Sequence, residues 1–90
     1  MINSKSDDYN EITGAQIRAA RALIRWSAKD LAKAAGIGVA TVSRAETEDG
    51  VPSLTSANLK AIRVALEASG IKFIRENGGG VGVRFEKPIS

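Results

Sequence analysis

The chain has 90 residues, a net charge of +3, and neither cysteine nor histidine. Without Cys and His the disulfides, the thiolate metal sites, the commonest general base and the commonest transition-metal ligand are all missing. No enzyme, no metal site and no cofactor are expected, and the length suits one domain around a single core.

Residues 1–11 open with MINSKSDDYN, which is polar and without period, so this segment is expected to be disordered and the domain to occupy 12–90. Asp7 and Asp8 argue against a basic arm that wraps DNA. The segment lacks the apolar centre of a signal peptide, and no later run is long and apolar enough to span a bilayer. A cytoplasmic protein with no membrane partner is expected.

Thr13 followed by Gln16 is a capping box, opening a helix over about Gly14 to Arg25 with Ile17, Ala20, Arg21 and Ile24 on one face. Trp26 precedes a second cap, Ser27 with Asp30, and suits an apolar staple in the core better than a base-stacking platform, since it has no aromatic neighbour. The helix that starts near Ala28 places Leu31 and Ala35 one turn apart and stops at Gly36, where a left-handed residue is needed. A third helix over about 39–47 puts Val42, Ala45 and Glu46 on one face and Ala40, Ser43, Arg44 and Thr47 on another. Arg21 and Glu46 are thus opposite charges on two apolar stripes, which is best explained by an ion pair between them.

Residues 48–53 form a loop marked by Gly50 and Pro52, and a fourth helix spans about Ser56 to Ser69, with Leu59, Ile62 and Leu66 inward and Gly70 as the stop. From Ile71 the period changes to two, so 71–86 reads as a β-hairpin around Gly78, Gly79 and Gly80. Pairing Glu76 with Gly82 puts Ile71, Phe73, Val83 and Phe85 on one face and Lys72, Arg84 and Glu86 on the other. The three glycines are turn material, because no helix and no Lys-Ser/Thr follow to make a phosphate loop.

Charge is unevenly placed. Between Thr13 and Glu46 six Lys/Arg face only Asp30 and Glu46, whereas the rest of the chain has seven basic and eight acidic residues. Such a patch is the footprint of a phosphate-binding surface, and a solvated basic face that keeps the protein soluble is the plain alternative.

The stretch from Ser27 to Thr47, SAKDLAKAAGIGVATVSRAET, resembles the helix-turn-helix of the phage-repressor and Cro-like family, also called the xenobiotic-response-element family. Leu31 and Ala32 match in the first helix, Gly36 at the turn, Ile37 just after it, and Val42 and Ala45 in the second helix. An αα-hairpin with no nucleic-acid role is the alternative. The resemblance covers about Thr13 to Ser69 and implies a mainly α fold, a four-helix repressor-like domain to which a C-terminal β-hairpin is added where relatives usually have a fifth helix. It also implies the Arg21–Glu46 pair, since phage repressors bond an Arg of the first helix to a Glu ending the third.

In function the resemblance implies a transcription regulator that acts on double-stranded DNA as a homodimer at the nucleoid, with the helix at 39–47 in the major groove. On that helix Arg44 suits guanine, Ser43 donates or accepts, and Val39 and Ala40 touch thymine methyls, two positions where relatives often carry Gln. Ser27, Lys29 and Arg18 are the expected phosphate contacts. The hairpin carries the expected dimer interface, Val81, Val83 and Phe85, or else it only caps the monomer's core. An antitoxin or adaptor of the same fold, binding another protein through the hairpin edge, is the alternative function.

Overall fold

A computed structural model of the chain describes residues 11–89, so the expected disorder of 1–11 lies outside it apart from Glu11. Four helices, α1 (Gly14–Ile24), α2 (Ala28–Ala35), α3 (Val39–Thr47) and α4 (Ser56–Ala68), are followed by an antiparallel pair, β1 (Ile71–Ile74) and β2 (Gly82–Phe85).

Local chemistry sets each helix end. The Gln16 amide donates to Thr13 Oγ1 at 3.1 Å and the Thr13 amide to Gln16 Oε1 at 2.8 Å, which starts α1. The same reciprocal pair at Ser27 and Asp30, 3.0 and 2.9 Å, starts α2. Gly36 ends α2 at φ 71°, its amide turned back onto the Ala32 and Lys33 carbonyls. α1 stops one residue short of the expected end: Arg25 is itself the left-handed cap, at φ 59°, and Trp26 donates back to the Arg21 carbonyl at 2.9 Å. A branched or bulky cap at this position is uncommon, and the sequence offers no glycine there to mark it.

The core unites all four helices and the hairpin. Ile12, Ile17, Leu31, Val42, Ile62 and Leu66 are fully enclosed, with Ala20, Ala32 and Ala45 letting the helices approach. Burying each of the larger aliphatics stabilises the fold by about 1.5–3 kcal/mol. Trp26 packs against this core with part of its ring in solvent. α2 packs on α3 and α4, α1 on α3 and β2, and α4 on β1.

The closest backbone approach is at Gly14, where a Cβ would fall 1.9 Å from the Glu48 carbonyl oxygen and 2.6 Å from that of Ala45. The Gly14 amide donates to the Gly50 carbonyl at 2.8 Å, so the start of α1 is set directly on the loop that leaves α3.

The hairpin register differs from the expected one. Gly82 faces Ile74 rather than Glu76, Val83 faces Phe73, and Phe85 faces Ile71. A slip of two residues keeps every side chain on its expected face, which is why hydrophobic patterning alone did not separate the two registers. What selects the register is Gln16, whose Nε2 donates to the Gly82 carbonyl at 2.9 Å and the Ile74 carbonyl at 3.3 Å, fastening both strands at the open end of the ladder to α1.

Candidate nucleic-acid interface

α2 and α3 meet through a turn of three residues, Gly36 to Gly38. The apolar side of α3, Val42 and Ala45, is buried, so its opposite side must face solvent. Val39, Ala40, Ser43 and Arg44 are all exposed, and their spacing of one, three and one residues puts them together along about a turn and a half. Thr47, on the same flank, donates its hydroxyl to the Ser43 carbonyl at 2.9 Å.

The rotation of α3 about its axis is fixed by charge as well as by packing. Arg21 Nε and Nη2 each lie 2.7 Å from a Glu46 carboxylate oxygen, a two-pronged ion pair between α1 and α3, and Nη1 donates to the Trp26 carbonyl at 2.8 Å. The two side chains keep 23% and 10% of their exposure. The hydrogen bond from Glu46, aided by its charge and opposed by burial, raises the Arg21 pKa above the ordinary guanidinium value.

Ser27 and Lys29 are exposed at the start of α2, where the amides of the first turn have no intrahelical acceptor. The Ser27 hydroxyl is already the N-cap, so its main-chain neighbours rather than its side chain are left to meet an anion. Asp30 sits in the same turn, and its carboxyl is held below the usual carboxylate range, chiefly by the Ser27 amide.

Arg18 requires a correction. Its Nη1 donates to the Glu46 carbonyl and its Nη2 to the Asp49 carboxylate, both at 2.5 Å. The guanidinium therefore closes the C-terminal end of α3, supplying a donor and a favourable charge to carbonyls that a helix leaves unpaired. The reading face begins at Val39, seven residues or about 10 Å from Glu46 along the axis. Arg18 is spent inside the fold and is dropped from the phosphate set.

Val81, Val83 and Phe85 lie on the hairpin, away from this face. Val81 is exposed, while Val83 and Phe85 are half-buried and only Val83 packs against the core. The residues that the sequence reading missed are positioning groups: Gln16 and Gly14, which join α1 to the hairpin and to the α3–α4 loop, and Arg63, 7% exposed and 2.9 Å from Glu67. The Gln16 signal was visible as a cap; its second duty, 58 to 66 residues away, was not.

Among the described residues no group of three or more acids could hold a metal ion, and no helix is long and apolar enough to cross a membrane. No curated protein matches the chain. A family profile described as helix-turn-helix, of the type found in Cro and phage repressors, matches residues 17–67, which takes in α2, the glycine turn, α3 and nearly all of α1 and α4. That span is more than half of the sequence and coincides with the elements whose caps, core and ion pair have just been described; the chain belongs to the phage-repressor and Cro-like helix-turn-helix family, a family of DNA-binding domains in transcription regulation.

Proposed function

We propose that the protein is a sequence-specific regulator of transcription that acts as a homodimer on the nucleoid, each copy inserting α3 into the major groove. The observation that carries this reading is the solvent-facing set Val39, Ala40, Ser43 and Arg44 on a helix held from behind by Arg21 and Glu46. A helix about 10–12 Å across fits a major groove about 12 Å wide. Arg44 reads guanine, Ser43 donates or accepts, and the two small apolar side chains contact thymine methyls. With only two polar readers, DNA shape carries part of the selectivity. The start of α2, through its amides and Lys29, holds the phosphate backbone and sets the angle of α3.

The test is capture of genomic DNA fragments by the purified chain, followed by competition between the enriched site and scrambled duplex. Arg44→Ala should lower affinity for the enriched site by about 1–3 kcal/mol and leave non-specific binding nearly unchanged. Enrichment of no sequence, or equal loss on both duplexes, would remove the reading role from α3.

A further inference from the structure

The outer edge of β2 is a second surface, and the DNA-reading face makes no use of it. The Glu86 amide donates to the Gly70 carbonyl at 2.7 Å, so residues 70 and 86 form a hydrogen-bonded pair that continues the register of the ladder. Bonded and non-bonded pairs alternate in an antiparallel ladder, which makes Lys72–Arg84 and Ile74–Gly82 the bonded pairs. The amides and carbonyls of Val83 and Phe85 therefore point away from β1, and they meet no hydrogen-bond partner among the described residues. The matching edge of β1 belongs to Ile71 and Phe73, 2% and 7% exposed beside α4. β2 is the open edge, with Val81 40% exposed at its start.

We infer that this edge pairs with the same edge of a second copy, β2 against β2 across a two-fold axis at Val83, making one four-stranded sheet from two hairpins. The inference takes the homodimer of the proposed function as given and says what builds it. A second copy is the fitting occupant because the edge is complementary to itself at one register. An axis at Arg84 would set Arg84 against its own counterpart, a like-charge pair directly opposed. An axis at Gly82 leaves Phe85 facing a glycine of the turn. An axis at Phe85 needs residues 86 and 87 in the strand, but the chain bends away there. With the axis at Val83, Val81 faces the mate's Phe85, Val83 faces Val83, and Arg84 faces Gly82, so the apolar row is matched along its whole length. The pairing also covers the half-buried Phe85, which the protomer's own core leaves uncovered.

The test is sedimentation of the full chain and of Val83→Pro over a concentration series. Proline removes one outward donor and no β1–β2 bond, and the preceding Gly82 has no Cβ to clash with its ring. The parent should dimerise and Val83→Pro should lose the dimer while keeping its helical dichroism. A parent that is monomeric at every concentration, or a variant that dimerises like the parent, overturns the inference. If the variant does not fold, amide exchange of the parent decides: the Val83 and Phe85 amides should gain protection as concentration rises, and fast exchange at all concentrations overturns the pairing. In a half-labelled sample the Gly82 and Arg84 α-protons should meet between copies, whereas contacts in another register overturn the axis at Val83. A monomer that still selects a DNA half-site would sink edge pairing alone; a β2-paired dimer without DNA affinity would sink the DNA reading alone.

Discussion

Arg21 grips Glu46 at both carboxylate oxygens, 2.7 Å each, so the first helix and the last turn of the third move as one body. Glu46→Gln keeps an acceptor but removes the charge, leaving Arg21 three-quarters buried with an incomplete partner. Breaking a buried pair costs about 3–5 kcal/mol, and the residual solvent contact here reduces that to roughly 2 kcal/mol. For a domain of this size the melting midpoint should fall by about 10 °C, read by dichroism. An unchanged midpoint would show the pair to be energetically neutral.

Gly14→Ala should destabilise, against the sign that helix propensity gives. Inside an unconstrained helix the change stabilises by about 0.4–1 kcal/mol. At Gly14 the new methyl group would overlap the Glu48 and Ala45 carbonyl oxygens, both main-chain atoms that cannot swing aside. The start of α1 must back away from the α3–α4 loop, at a cost of about 1–3 kcal/mol or more. Urea denaturation gives the sign directly, and a stabilised variant would contradict the close approach.

The helices were legible because their ends are decided by residues three or four apart. Thr13 with Gln16, Ser27 with Asp30, and Gly36 each announce a boundary through chemistry that needs no tertiary partner. The Arg21–Glu46 pair was legible for a different reason: a charge on an apolar stripe requires an opposite charge somewhere, and each helix offers one. Arg18 was misread because an exposed basic residue in a basic segment looks the same in sequence whether it meets phosphate or a helix end. The hairpin register failed at the one ambiguity that alternation leaves open, a slip of two, which Gln16 resolves from 58 residues away.

Gln16→Ala should loosen the hairpin more than the helices. The side chain is 3% exposed, completes the Thr13 cap, and supplies donors to Ile74 and Gly82. Its loss leaves two carbonyls unsatisfied at the open end of the ladder, at about 1–3 kcal/mol. Amide exchange should accelerate across β1 and β2 before it does in α2 and α3. Uniform acceleration throughout would mean that the hairpin and helices open as a single unit.

The acid limb of stability should carry the signature of Asp30. Its folded pKa is depressed, first by the Ser27 amide and then by the Ser27 hydroxyl, so the unfolded chain binds the proton more readily. The contribution is complete above the unfolded value of about 3.9 and is lost as pH falls through the lower folded value. Asp30→Asn should be less stable than the parent at pH 7 and the difference should shrink below about pH 4. A difference that is constant from pH 7 to pH 2 would assign the effect to shape rather than charge.

Arg18 and Lys29 are both basic and exposed enough to meet a phosphate, but their surroundings assign them opposite roles. Arg18 is bound to the Glu46 carbonyl and to Asp49, while Lys29 stands beside the free amides at the start of α2. Arg18→Ala should therefore lower stability by about 1 kcal/mol, the scale of a charge-assisted helix-end contact that is partly screened, and leave the salt dependence of DNA binding unchanged. Lys29→Ala should leave the melting midpoint within about 2 °C, reduce the slope of log affinity against log salt by about one, and weaken all duplexes alike. The two measurements on the two variants form a square in which each residue should move one readout and spare the other. An Arg18→Ala variant that changes the salt slope without changing stability would return Arg18 to the phosphate surface and show that its bond to Asp49 yields when DNA is bound.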